Sequence, residues 1–424
     1  MQKFLAVCLI GIGINSYTPA LATHWKVFWY MDSSDALSDM AIKNITDAMR
    51  GKPNDTVDFL IQMHAYGSAG LRYRVTDKGL IFIEEVLLTG QSKQDSIAAV
   101  TWAFTDNNAE HNLFIIANHG YGILDPHWDE INKEWKTGGD TLNISCIIKR
   151  SGDRDYEQEH LNHRGFLFNM QSHTYLNNND LVALLDYMST QLLHKKLDVI
   201  AFDTCMGDML EVAYQVGPYA DYLVGSQSCS LLDGFDYQNV VPLLNQGLAP
   251  RELVSRMVCA FDNYYARYDS SGVYTHAALD LSQVYDLTRS LNAVVIQLLK
   301  NSDYVPLIMN ACKESPRFCM WPMYTDAVAF FKNIENQLDS VGDCTAIRAA
   351  LHDFYAKANN VVVARCGGST TKGRAHGFAI YLPLGIIDGS YYKTIFAQET
   401  QWINLLTVSC DQFKKTDHSE SISN

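Results

Sequence analysis

Short apolar runs alternate with segments whose apolar residues recur every three to four positions. Residues 26–31, 57–63, 113–118, 197–202 and 222–226 are near-continuous apolar stretches. That is how strands buried on both faces of a parallel sheet read. Residues 72–86 read as a hairpin turning at Asp77-Lys78-Gly79. Between these runs, Leu37, Met40, Ala41, Ile45, Ala48 and Met49 fall at helical spacing, behind cap chemistry at Asp32 to Asp35, and the segment stops near Gly51-Lys52-Pro53. Further helices are predicted over 92–104, over 179–194 with Asn179 as cap, and over 208–216, which Gly217-Pro218 ends. Strand and helix in alternation predict a three-layer α/β fold with a mostly parallel central sheet.

From about residue 251 the spacing is mostly helical, at 251–267, 281–300, 326–338 and 346–358, with one late strand at 376–383. The tail from Lys414 is polar and is expected to be disordered. Residues 125–165 form a break in the pattern. They carry Asp125-Pro126, Gly138-Gly139 and a mixed charge cluster, and they read as a long exposed excursion.

Two of the buried runs end alike. Residues 113–118 lead into His119-Gly120, and 197–202 lead into Asp203-Thr204-Cys205. In open α/β sheets, ligands bind just past the carboxyl ends of such strands. Were the two strands neighbours, a base would stand beside a thiol. A thiol attacks as thiolate, so its ordinary pKa of about 8.5 must be lowered. His119 supplies the imidazolium or the base, and the helix predicted after Cys205 favours negative charge there. The N–H groups of Gly120 and Cys205 are candidates to bind a developing oxyanion. This set of groups suits acyl transfer through a thioester.

Composition narrows the setting. The chain has 424 residues, 33 basic and 47 acidic, with a net charge of −14. Such a surface argues against general nucleic-acid binding and favours cationic partners. Lys3, the short apolar core 4–14 and Ala20-Leu21-Ala22 read as an export signal over residues 1–22, with Thr23 as the first mature residue. The apolar stretch is shorter than the roughly 20 residues a membrane span needs. Without Cys8 nine of the ten cysteines remain, and export, to a periplasm or outside the cell, permits disulfides among the eight other than Cys205; Cys312 and Cys319 are close enough to pair locally. His160 and His163 lack the neighbours that would complete a metal site. The length suggests a catalytic unit over 23–268 and a helix-rich region over 269–424 that packs on it.

At the level of motifs the chain resembles the clostripain-like cysteine peptidases. The resemblance rests on residues 25–32, on Asn118-His119-Gly120-Tyr121-Gly122, and on Asp203-Thr204-Cys205-Met206 with Glu211-Val212-Ala213-Tyr214. Residues 222–226, Asp233-Gly234-Phe235-Asp236-Tyr237, 274–281 and 377–383 extend it over nearly all of the mature chain. It implies a caspase-like fold, a His119–Cys205 dyad with no third catalytic carboxylate, and hydrolysis of peptide bonds after Arg or Lys. The family's acidic S1 positions would fall on Asp203 and Asp233, where carboxylates suit a guanidinium or ammonium. Ile123 replaces a frequent aromatic, and Met206-Gly207 a bulkier pair, which bears on the shape of the pocket. The resemblance also implies self-cleavage within the excursion, where Lys133, Lys136, Lys149, Arg150 and Arg154 are available. It allows a calcium requirement, although no ligand set is legible. Protein or peptide substrates rich in basic residues are the expected partners. A binding protein of the same fold, and a transpeptidase or amidase using the same dyad, are the competing expectations.

Overall fold

The computed structural model describes residues 23–33, 37–65, 70–125, 127–129, 134–137, 140–141, 166–169, 174–269, 271–317 and 322–422. The segment 1–22 and much of the excursion, including Lys133, Lys149, Arg150, Arg154, His160 and His163, lie outside them.

Nine strands form the central sheet: β1 (Trp25–Ser33), β2 (Val57–Ala65), β3 (Gly70–Thr76), β4 (Gly79–Val86), β5 (His111–Ala117), β6 (Leu197–Asp203), β7 (Ala220–Gly225), β8 (Thr275–Asp280) and β9 (Val362–Gly367). Their spatial order is β9-β8-β7-β6-β5-β1-β2-β3-β4. The five middle strands, from β7 to β2, run parallel. Antiparallel pairs close both sides, β3 and β4 at one edge and β8 and β9 at the other. β6 is buried along its whole length, as its Val, Ile and Phe content requires. Successive side chains alternate between two cores. Phe28, Tyr30, Phe114, Ile116, Ile200 and Phe202 enter one, while Trp29, Met31, Leu113, Ile115, Val199 and Ala201 enter the other.

Helices cover both faces. α1 (Ser38–Gly51), α5 (Tyr237–Leu244) and α6 (Pro250–Tyr268) close the second core. The first core is closed by α2 (Ser92–Phe104), α3 (Asn178–Tyr187) and α4 (Leu210–Val216) together with the later helices. Those are α7 (Val284–Leu299), α8 (Val305–Glu314), α9 (Ala327–Glu335), α10 (Thr345–Val361), α11 (Ile395–Glu399) and α12 (Trp402–Ile422). The three layers are those the alternating pattern predicts.

Several details differ from the sequence expectations. The cap of α3 is Asn177, whose side chain accepts from the Asp180 N–H, and not Asn179. α1 is preceded by Leu37, whose own side chain makes no cap hydrogen bond, and residues 34–36 of the expected cap stretch lie outside the described residues. The tail continues as α12 to Ile422, because buried Trp402, Leu405 and Leu406 anchor the helix and carry its polar end. Cys312 is a free thiol buried in α8, so the local Cys312–Cys319 bridge does not form. Burial pushes that thiol up to about 12, which keeps it protonated and inert. Cys259, Cys344, Cys366 and Cys410 are free as well, and Cys229 is disulfide-bonded.

Candidate active site

Strand register brings the two expected catalytic segments together. Ala117 at the end of β5 pairs with Asp203 at the end of β6. His119 and Cys205 each follow by two residues, so both leave the sheet at the same level and from neighbouring parallel strands. The crossing is tight. A methyl group added at Gly120 would overlap the Cys205 carbonyl oxygen and the Thr204 side chain. Glycine at 120 is therefore what lets the His119 segment lie against the Cys205 backbone. Upstream, the Asn118 side-chain amide donates to the Asp32 carbonyl at the end of β1. Asp32 in turn lies 3.2 Å from His64 Nδ1 at the end of β2. Polar side chains thus tie the carboxyl ends of three neighbouring strands behind His119.

The turn after Cys205 has a fixed shape. Met206 adopts φ +57°, uncommon for a side chain of its size. Gly207 packs on Phe202, where any Cβ would collide. The turn is fastened to the segment after β7: Met206 N–H donates to Ser228 O at 2.9 Å, and Asp208 N–H to Ser226 O at 3.0 Å. Cys205 itself is half-buried, with its sulfur 3.9 Å from the Ser230 carbonyl oxygen. α4 begins only at Leu210 and has seven residues. A helix dipole acts within its terminal turn, so the expected helix-end stabilisation of a Cys205 thiolate is not available.

Asp203 and Asp233 lie close together but in different settings. Asp203 is buried, and its Oδ2 accepts from the Tyr237 hydroxyl at 2.7 Å and the Phe235 N–H at 3.4 Å. Burial pushes its carboxyl up to about 6, against the pull of those hydrogen bonds. Gly234, at φ +62°, leaves room for that carboxylate, and a Cβ there would overlap Asp203 and press on the Asn44 amide. The Asp233 carboxylate accepts from the Tyr264 hydroxyl at 2.5 Å and lies 4.0 Å from Lys43 Nζ. Tyr264 and Lys43 escaped the sequence reading, and Tyr237 entered it only as a motif position near Asp233, without its bond to Asp203. The aromatic positions flanking Asp233 were its only sign.

Further buried polar contacts to the segments around Cys205 come from the C-terminal half. Glu211 on α4 accepts from the Tyr381 N–H at 2.8 Å and the Tyr391 hydroxyl at 3.2 Å. Gln227, beside Ser228, donates to Asp326 at 3.0 Å and accepts from the Gly377 N–H at 2.7 Å. Asp326 also receives His376 through its backbone N–H and lies 2.9 Å from its Nδ1. Among the described residues, no group of three or more His, Cys, Asp or Glu is arranged to hold a metal ion. Among the same residues, no helix is long and apolar enough to cross a membrane.

The sequence profile of the clostripain family of C11 peptidases matches residues 143–409, more than half of the chain. The chain belongs to the clostripain family. It is a cysteine endopeptidase, and its substrates are proteins or peptides. The matched span contains Cys205, whereas His119 precedes it. No curated protein matches the sequence. Solved structures share the fold across the chain. A secreted C11 cysteine protease from Bacteroides thetaiotaomicron, iotapain, superposes with a TM-score of 0.65 at 15% identity, covering 91% of this chain and 99% of that one. The same organism's secreted C11 protease bound to an irreversible peptide inhibitor gives 0.62 at 17% identity, with coverage of 91% and 99%. An inactive zymogen C11 protease from Parabacteroides distasonis gives 0.61 at 15%, covering 91% and 98%. At these identities the likeness speaks for the caspase-like fold alone.

Proposed function

We propose that this clostripain-family peptidase is exported and cleaves after Arg or Lys, with Cys205 as nucleophile and His119 as base and acid. The observation that carries the assignment is the packing of Gly120 on the Cys205 carbonyl, at the ends of two strands in matched register. In the proposed reaction His119 takes the thiol proton and the Cys205 sulfur attacks the scissile carbonyl carbon. The N–H groups of Gly120 and Cys205 receive the oxyanion. Collapse breaks the C–N bond, and the leaving amine takes the proton from His119. A thioester remains on Cys205. Water then attacks it, gives a proton to His119, and the returning thiolate regains that proton as the acid product leaves.

The acidic pair Asp203 and Asp233 would receive the P1 cation, as charge-assisted hydrogen bonding to a guanidinium or ammonium favours. Residues 1–22 would direct export, with Thr23 as the mature terminus. Self-processing would occur at a basic residue of the excursion. Lys136 is described there, on a short strand at Glu134–Thr137.

One experiment tests the assignment. The mature protein, Cys205→Ala and His119→Ala are assayed on fluorogenic peptides differing only at P1, and their chain fragments are mapped after incubation. The expected result is turnover confined to Arg and Lys at P1, lost by several orders of magnitude in both variants, with fragments from the wild type only. Undiminished turnover in Cys205→Ala would overturn the dyad. Equal turnover of acidic and basic P1 residues would overturn the specificity, and equal nicking of wild type and Cys205→Ala would overturn self-processing.

A further inference from the structure

We propose that Lys43 is a specificity-determining residue, an internal cation held against the acidic pair that weakens the preference for a basic P1 side chain. The inference rests on reading Asp203 and Asp233 as the S1 pocket. Lys43 belongs to α1, a helix with no part in the chemistry above. Its ammonium lies 2.9 Å from Asp47, one turn further along the helix, and 4.0 Å from Asp233. The same ammonium stands 5.7 Å over the ring of Tyr264, whose hydroxyl donates to Asp233. Lys43, Tyr264 and Asp233 therefore form one group. The adjacent Asn44 faces Gly234, next to the Asp203 carboxylate. At Asp203, burial dominates and the Lys43 charge works against it. One short stretch of α1 thus reaches both carboxylates.

A P1 guanidinium entering this pocket meets the Asp203 and Asp233 carboxylates and the like charge of Lys43. The carboxylates attract it and Lys43 repels it. The geometry also shows how the two coexist. The Lys43 side chain is 33% exposed and flexible, and its shorter contact is to Asp47, outside the pair. On arrival of substrate the ammonium keeps Asp47 and gives up the longer contact to Asp233. A neutral P1 residue provokes no such exchange. Lys43 should therefore lower the discrimination between charged and neutral P1 residues.

The readout is the ratio of kcat/KM for a peptide with Arg at P1 to the same peptide with citrulline, its neutral isostere. A ratio is independent of the fraction of active protein. Lys43→Met should raise it by about two- to fivefold, the range for a partly exposed ion pair. Lys43→Glu should raise it further, Lys43→Arg should leave it near the wild-type value, and salt should shrink the differences. An unchanged ratio in Lys43→Met, alongside a lowered ratio in Asp233→Asn, would overturn the role of Lys43 and leave the pocket standing. Unchanged ratios in Asp233→Asn and Asp203→Asn would overturn the pocket itself, and the Lys43 proposal with it.

Discussion

Glu211 offers a quantitative test of how the segment after Cys205 is held. The side chain is fully buried on α4; Oε1 accepts two hydrogen bonds from the C-terminal half, and Oε2 has no hydrogen-bond partner among the described residues. Burial pushes its carboxyl up to about 7 from an ordinary value of 4.5. A raised carboxyl favours the folded state when protonated. Its contribution is complete below the unfolded value and is lost as pH rises through the folded one. At roughly 1.4 kcal/mol for each tenfold change in proton affinity, the whole contribution is about 3 kcal/mol. Most of it should vanish between roughly pH 5 and 8. Glu211→Gln keeps the acceptor oxygen and cannot ionise. Urea unfolding of both proteins across that range should show the wild type losing roughly 2–3 kcal/mol relative to the variant. Asp203, raised to about 6, titrates in both proteins and cancels in the difference. A difference that stays flat, or that grows in favour of the wild type towards alkaline pH, would show that Glu211 does not titrate as its burial requires.

Gly120→Ala should part the two strand ends. The overlap with the Cys205 carbonyl is with backbone, which cannot rotate away, so a loss of about 1–3 kcal/mol in urea unfolding is expected, with kcat falling at least roughly tenfold. Wild-type values of both would contradict the packing. Tyr237→Phe removes the hydroxyl donor to Asp203, which should raise that carboxyl further. If Asp203 must be ionised to receive a P1 cation, the acid limb of kcat/KM for Arg substrates should move to higher pH; an unmoved limb would argue against its place in S1.

The fold was largely legible because its signals are periodic. Continuous apolar runs marked β1, β2, β5, β6 and β7, and the Asp77-Lys78 turn marked the β3–β4 hairpin. Less legible were β8 and β9. Residues 275–280 are short, and in β9, Val362–Gly367, an edge strand, the apolar positions are only half-buried. A strand of that kind carries neither a buried run nor a clean alternation. α8 was missed for a different reason. Its apolar positions are interrupted by Asn310, Lys313 and the leading Pro306, and its burial comes from packing on α9 and α12.

Of the candidate site, the residues proposed to carry chemistry could be named, since His-Gly and Asp-x-Cys at strand ends have a physical reason to be there. Their supports could not. Tyr237 and Tyr264 look like ordinary aromatic core residues in sequence, and Lys43 looks like one of many solvated helix charges. Each acquires its role only when the turn at 231–237 folds back on β6. The Cys205 helix-end argument failed because sequence shows that a helix follows and does not show how many residues of turn intervene.

Those supports bear on how the two halves of the chain relate. β8 and β9 complete the sheet that begins with β1, so the later half supplies part of the catalytic layer. The Ala379 N–H donates to the Asp208 carbonyl at 2.8 Å, three residues from the proposed nucleophile. Gln227 links Asp326 and Gly377 to the strand end that fastens the Cys205 turn. Buried polar ties of this kind are costly when half made. The turn that presents Cys205 is therefore braced by residues beyond 320, and the thiol is held by long-range contacts as well as by its own strand.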